Sequence, residues 1–173
     1  MTSRREQLLE SAADLFADRG FHGVGIDDIG AAAGITGPGV YRHFPSKQAL
    51  LETLIDRTMD RMLQLAEQAS DLDALVDLHV SLVDEQQALH RVWVREQSAL
   101  TEDVRRSLRV RMRRYEQVWR DAAAPLRPDL DRQELHLVVG LTLAMLNASS
   151  LIEVGLEERR HVLCRLAHAT LRA

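Results

Sequence analysis

Apolar residues recur every three to four positions through almost the whole chain, and nowhere do they settle into sustained alternation. This excludes half-buried sheet, whose strands need period-two patterning, and leaves helices that each bury one stripe. In the first segment Leu9, Ala12, Ala13 and Phe16 share a stripe, Glu6, Glu10, Asp14 and Asp18 fall off it, and Gly20 supplies the stop. A short helix is expected over Ile26 to Ala33, ended by Gly34. Another is expected over Gly37 to His43, capped by Thr36 and stopped by Pro45. Ser46 opens a longer one carrying Leu50, Leu51, Leu54, Met59, Met62 and Leu63. Further helices are expected near 72–87, 89–98, 102–123, 131–153 and 157–171. The chain reads as all-α, with about nine helices.

Its 173 residues suffice for a small domain joined to a larger one. A single cysteine, Cys164, rules out an internal disulfide framework and fits a reducing compartment. The segment Met1 to Glu6 has no apolar signal core, and the run Leu137 to Leu146 is too short to cross a bilayer. A cytoplasmic location is therefore expected. The net charge of −4 argues mildly against a nucleic-acid partner, but the charges are unevenly placed. Residues 48–100 hold four basic and ten acidic side chains, whereas 101–128 hold eight basic and four acidic. Residues 1–47 are nearly balanced, with five basic and six acidic.

Seven of the nine glycines lie between Gly20 and Gly39. Their spacing matches neither phosphate-cradling fingerprint, neither G-x-x-x-x-G-K-[ST] nor a strand followed by G-x-G-x-x-G. Read instead as stops and turns, they separate short helices, the last capped by Thr36 and carrying Tyr41, Arg42 and His43. That is a helix-turn-helix layout. The residues Ala13, Leu15, Phe16, Gly20, Phe21, Ile26, Ile29, Ala33 and Leu50 occur with the run Gly34-Ile-Thr-Gly-Pro-Gly-Val-Tyr-Arg-His-Phe-Pro-Ser-Lys47. In this pattern the chain resembles the TetR family of bacterial one-component repressors, over residues 4–50 or so. The resemblance implies a three-helix DNA-binding domain over 1–47 and a helical effector-binding and dimerisation domain over 48–173.

Several residues suit DNA contact by their chemistry. The Thr36 hydroxyl is placed to accept the Gly39 N–H, and Pro38 loses no helical bond in the first turn. Gly37 and Gly39 let the helix N-terminus approach base edges or phosphates closely. Arg42, the only long cation on this helix, is the candidate base reader, while Tyr41 and His43 suit phosphates. Lys47, just inside the Ser46 cap, adds an ammonium where the resemblance places a phosphate. Gly25 is an acceptable N-cap for the second helix. Two departures from the family pattern bear on affinity: Val24-Gly25 replaces the usual Thr-Thr, and Pro38-Gly39 replaces Gly followed by Thr or Ser.

In the larger domain, Leu135 to Ile152 is apolar on nearly every face, which requires burial all round. Gly140, Ala144 and Ala148 form a flat strip. With Val162, Leu163 and Leu166 of the last helix they resemble the family's two-helix dimer face. Effector-pocket candidates are Met59, Met62, Trp93, Tyr115, Trp119 and Met145, with Asn147, His79, His90 and Ser149 as polar anchors. Arg105, Arg106, Arg109 and Arg113 share one helical arc; a solvated face competes there with recognition of an anionic head group. His161, Cys164 and His168 also share an arc, read as a surface coincidence and not a metal site.

Neither H-E-x-x-H nor G-x-S-x-G occurs, and no enzyme is expected. No cofactor is called for. The resemblance implies a homodimeric repressor released from a palindromic double-stranded operator by a small, largely apolar effector of lipid or acyl-CoA type. The competing reading is a helical small-molecule-binding or interaction protein with a weakened DNA-binding module.

Overall fold

The computed structural model describes residues 3–85, 88, 92, 95–149, 152 and 155–172. Eight α-helices are found among them: α1 (Arg4–Arg19), α2 (Ile26–Ala32), α3 (Gly37–Val40), α4 (Lys47–Glu67), α5 (Leu72–Glu85), α6 (Glu102–Ala123), α7 (Arg132–Ala148) and α8 (Leu156–Leu171). Short 3-10 turns occupy Gln97–Ala99 and Ala124–Leu126, and no strand occurs among the described residues. The all-α reading holds. Most of the helix expected at 89–98 lies outside the described residues, and its end is the first of these 3-10 turns. The helix expected to reach 153 stops at Ala148, where the Ser149 hydroxyl donates to the Leu146 carbonyl at 2.6 Å and competes with helical continuation.

The chain divides into two compact units, Met1–Thr58 with Ala88–Ser107, and Met59–Gln87 with Leu108–Ala173. In the first, α1 is opened by Ser3, whose hydroxyl accepts the Glu6 N–H at 3.2 Å. It ends at Gly20, which takes φ 73° while its N–H returns to the Phe16 carbonyl at 2.9 Å. The buried stripe Leu8, Leu9, Ala12, Ala13 and Phe16 belongs to the same core as Ile29, Val40, Phe44, Leu50 and Leu51. Between α2 and α3 the chain reverses at Gly34, φ 71°, and Ile35 N–H closes onto the Gly30 carbonyl at 2.8 Å. An L side chain at position 34 would be strained by that φ alone. Arg4 Nη1 finishes the end of α2 by donating to the Ala33 carbonyl at 2.8 Å.

In the second unit α5 packs against both α7 and α8, which also pack on each other. A reciprocal cap starts α7: Asp131 accepts from the Gln133 and Glu134 N–H groups at 2.7 and 2.9 Å, and Glu134 accepts the Asp131 N–H at 2.9 Å. The end of α8 is finished from a loop, where Arg127 donates to the Thr170 carbonyl while gripping Asp129 with two further bonds. Ion pairs from Arg111 to Asp60 (2.6 Å) and Arg114 to Glu67 join α6 to the end of α4.

Candidate nucleic-acid interface

The recognition segment is shorter as regular helix than the spacing suggests. Gly37–Val40 is α-helical, and residues 41–43 continue as turns, with His43 and Phe44 N–H groups both returning to the Val40 carbonyl at 2.9 and 3.0 Å. The Thr36 side chain makes no cap bond, contrary to the role expected of its hydroxyl. Its carbonyl takes the Gly39 N–H at 2.8 Å and the Val40 N–H at 3.2 Å. The first turn is therefore wound tightly, and the backbone carbonyl takes the donor that the hydroxyl was expected to take.

Tyr41 is 56% exposed, and Arg42, His43, Thr36 and Pro38 are exposed beside it in sequence. Among the described residues no acceptor is bonded to the Arg42 guanidinium. Phe44, by contrast, turns inward, buried under the Arg5 guanidinium at 4.5 Å from its ring centre. Gly37 is buried, and the space its missing side chain leaves is taken by the Asp27 carboxylate; Gly39 is half-buried against Ile35 and Thr36. Gly25 caps α2 as expected in position, but through its own N–H, which donates to Asp28 Oδ2 at 2.8 Å.

Lys47 has internal work that its sequence position did not reveal. Its Nζ donates to the Phe21 and Val24 carbonyls at 2.7 and 2.6 Å and lies 4.4 Å from the centre of the Phe21 ring. The Phe21 N–H in turn donates to the buried Glu96 carboxylate at 3.0 Å. The α1–α2 loop is thus held at both ends of one residue by opposite charges, and two of the ammonium's three hydrogens are used within the fold. Gln48 and Glu52 on α4 complete this edge, bonding the Ala99 carbonyl at 2.8 Å and the Thr101 N–H at 3.2 Å. Burial works against ionisation of Glu52, but the bonds from Gln48 and Thr101 outweigh it and hold the carboxyl below its ordinary value. Sequence spacing carried no signal for the Glu96 or Asp27 contacts, because their partners are backbone atoms or a glycine.

In the second unit, Met59, Met62, Tyr115 and Trp119 are buried core. Trp93 lies outside the described residues. Tyr115, Trp119 and His79 form one aromatic group, with ring centres 5.7 to 6.2 Å apart. The Tyr115 hydroxyl lies 2.7 Å from His79 Nδ1, and Asn147 Oδ1 lies 3.1 Å from His79 Nε2. Burial pushes the Tyr115 phenol far above its ordinary range, so it stays protonated. Met145 instead lines a groove of about 300 Å³ between α7 and α8, with Ile152, Val162, Leu163 and Leu166 among its walls.

On the strip expected to pair helices, Gly140 has open space beside it and Ala144 and Ala148 are exposed. Leu137 and Leu141 are 60% and 61% exposed, whereas Leu163 is buried within the chain. The burial all round expected of this segment is therefore not met by the chain's own packing. Of the arginine arc, Arg105 pairs with Glu102 and Arg106 with Asp103. His168 and Cys164 meet Asp73 and Asp77 at 3.0 and 3.6 Å. No group of three metal-ligating side chains is found among the described residues. Nor is any described helix long and apolar enough to cross a membrane.

Two short helices joined at a left-handed glycine, with an exposed arginine beyond the second, define a helix-turn-helix protein of the all-α class. Residues 8–54 match the family model described as bacterial regulatory proteins, tetR family. Over these residues the chain carries a TetR-type N-terminal helix-turn-helix domain. It is 41% identical over 66 residues to the HTH-type transcriptional activator FasR of Mycolicibacterium smegmatis, a match covering 38% of this chain and 30% of that relative. The chain thus spans about a third of the length of that curated relative. A TetR-family transcriptional regulator from Bordetella parapertussis superposes with TM-score 0.83 at 25% identity, covering 94% of this chain and 93% of that one. AibR, solved in complex with isovaleryl coenzyme A and operator DNA, superposes with TM-score 0.77 at 22% identity over 95% and 97% of the two chains.

Proposed function

We propose that this protein is a homodimeric transcriptional regulator that represses from a palindromic operator and is released by a small, largely apolar effector. It acts by binding and catalyses no reaction. The observation that carries the reading is the exposed Arg42 guanidinium, unbonded among the described residues, flanked by Tyr41, His43, Thr36 and Pro38 on the recognition segment. Arg42 reads a base edge, the hydroxyls of Tyr41 and Thr36 and the His43 ring contact phosphates, and Gly39 allows close approach. Gly25 and Gly37 border this surface, and the remaining hydrogen of Lys47 is available to a phosphate.

One such segment reads only a few base pairs, so useful affinity needs two copies about one helical turn apart. The exposed Leu137, Leu141 and Leu166, with the open strip Gly140, Ala144 and Ala148 and the flanking Val162, support pairing of α7 and α8 between two copies. Leu163 supports that face from inside. The effector is proposed to be of acyl-CoA or lipid type, a reading supported by the isovaleryl coenzyme A complex of AibR. Its contacts within the second unit are proposed to come from the buried Met59, Met62, Tyr115 and Trp119, with Asn147 as a polar anchor.

Footprinting on the DNA upstream of the protein's own gene tests the reading. Salt-sensitive protection of a near-palindrome, lost in Arg42→Ala, is the expected result. Val24-Gly25, which lacks the hydroxyls of the usual Thr-Thr, favours the rival, a helical ligand-binding or interaction protein with a weakened DNA module. No protection at low salt would establish that rival instead.

A further inference from the structure

Asp27 and Asp28 stand together on the first turn of α2, but only one of them has a folding task. Asp28 accepts the Gly25 N–H at 2.8 Å. No hydrogen bond or ion pair to the Asp27 carboxylate is found among the described residues, and the side chain is exposed. Yet it is not loose at the surface. It lies against the opening residue of the recognition segment: a methyl carbon on Gly37 would overlap Asp27 Oδ1 and sit 3.0 Å from its Cγ. Gly37 thus makes room for a carboxylate beside the turn that presents Thr36, Pro38 and Arg42.

Placing an acid there is costly for a surface that meets a polyanion, and charges over residues 1–47 are already slightly negative. A negative charge on the first turn of α2 favours that helix only modestly. A carboxylate is an acceptor without a donor. In the major groove it is attracted by the exocyclic amino groups of cytosine and adenine and repelled by the O6, N7 and O4 acceptors of guanine and thymine. Arg42 has the complementary limitation, because a guanidinium only donates. The two side chains complement one another chemically, one able only to donate and the other only to accept.

We infer that Asp27 is a specificity-determining residue, selecting an amino-bearing base over a keto-bearing base at one position of each half-site through the carboxylate that Gly37 admits. This rests on the DNA-binding reading above. At that position the wild-type protein prefers cytosine or adenine over guanine or thymine by about tenfold or more.

The test is selection from randomised duplexes followed by titration of the selected and base-swapped sites at fixed salt, for the wild type, Asp27→Asn and Gly37→Ala. An amide both donates and accepts, so Asp27→Asn is expected to flatten preference at one position per half-site, leave the others unchanged, and bind unrelated duplex more tightly. Gly37→Ala keeps the charge but displaces it, and is expected to lose the same preference. Thermal unfolding of Asp27→Asn indistinguishable from wild type shows that the domain is intact; if it unfolds early, Asp27 is a structural acid and the inference fails. Equal tightening on all sequences with an unchanged motif would likewise overturn it. If the wild type selects no motif at all, it is the DNA-binding reading that falls.

Discussion

Replacing Lys47 with methionine separates two roles that one residue position combines. Methionine keeps an unbranched apolar stem against the Phe21 ring but removes the ammonium that bonds the Phe21 and Val24 carbonyls at 2.7 and 2.6 Å. A net charge-assisted hydrogen bond is worth about 1.5–3 kcal/mol, and a partly exposed one falls near the bottom of that range. The ammonium over the Phe21 ring adds roughly 0.5 kcal/mol. Water can reach part of the vacated site, since Lys47 is only half-buried, so a loss of about 2–4 kcal/mol is expected. For a chain of this size that corresponds to a fall of about 5–15 °C in the unfolding midpoint, read by circular dichroism. The companion measurement is the dependence of DNA affinity on salt below that midpoint. If Lys47 acts only as an internal bracket, the log–log slope is unchanged; if its third hydrogen also holds a phosphate, the slope falls by about 1 per protomer. An unfolding midpoint within a degree or two of wild type would refute the bracket argument outright, because two buried-loop carbonyls cannot lose a cation at no cost.

Leu141→Glu should leave the protomer's stability within about 0.5 kcal/mol, because the side chain is already 61% exposed, while shifting sedimentation from dimer to monomer. A dimer that persists would remove α7 from the proposed pairing face. Tyr115→Phe should cost about 1–2 kcal/mol in urea unfolding by withdrawing the hydroxyl 2.7 Å from buried His79 Nδ1. Glu52 has a folded-state pKa below its ordinary 4.5, so the unfolded chain binds its proton more readily. Its contribution to stability is present above 4.5 and lost as pH falls through the depressed folded value, and Glu52→Gln should flatten that part of the acid limb. An unchanged acid limb would show that the Gln48 and Thr101 bonds do not favour the ionised form.

The helix-turn-helix was legible because every signal for it is local. Gly20 and Gly34 stop helices by adopting φ values of 73° and 71°, Pro45 cannot continue one, and Ser46 accepts the Ala49 N–H at 3.0 Å to start the next. Each of these effects reaches no further than four residues along the chain, which is the range over which sequence spacing is informative. The same is true of α6, found at Glu102–Ala123 where the periodicity put it. Arg42 stood out for a related reason: no acid lies at helical spacing from it to absorb its charge.

Long-range contacts were not legible. Lys47 looks identical in sequence whether it faces a phosphate or the carbonyl of Phe21, 26 residues earlier. Glu96 finds the Phe21 N–H across 75 residues, and no side-chain pattern marks a backbone donor. Thr36 has the composition of a side-chain cap, but the tight first turn gave that bond to its carbonyl. The apolar α7 implied burial on every face, and tertiary packing left Leu137 and Leu141 outside. Local sequence therefore determined where helices begin and end and which stripe of each is apolar, because those are matters of backbone geometry and neighbouring side chains. Tertiary structure decided which polar groups are consumed within the fold and which remain for a partner, because that depends on where distant carbonyls, amides and carboxylates come to lie.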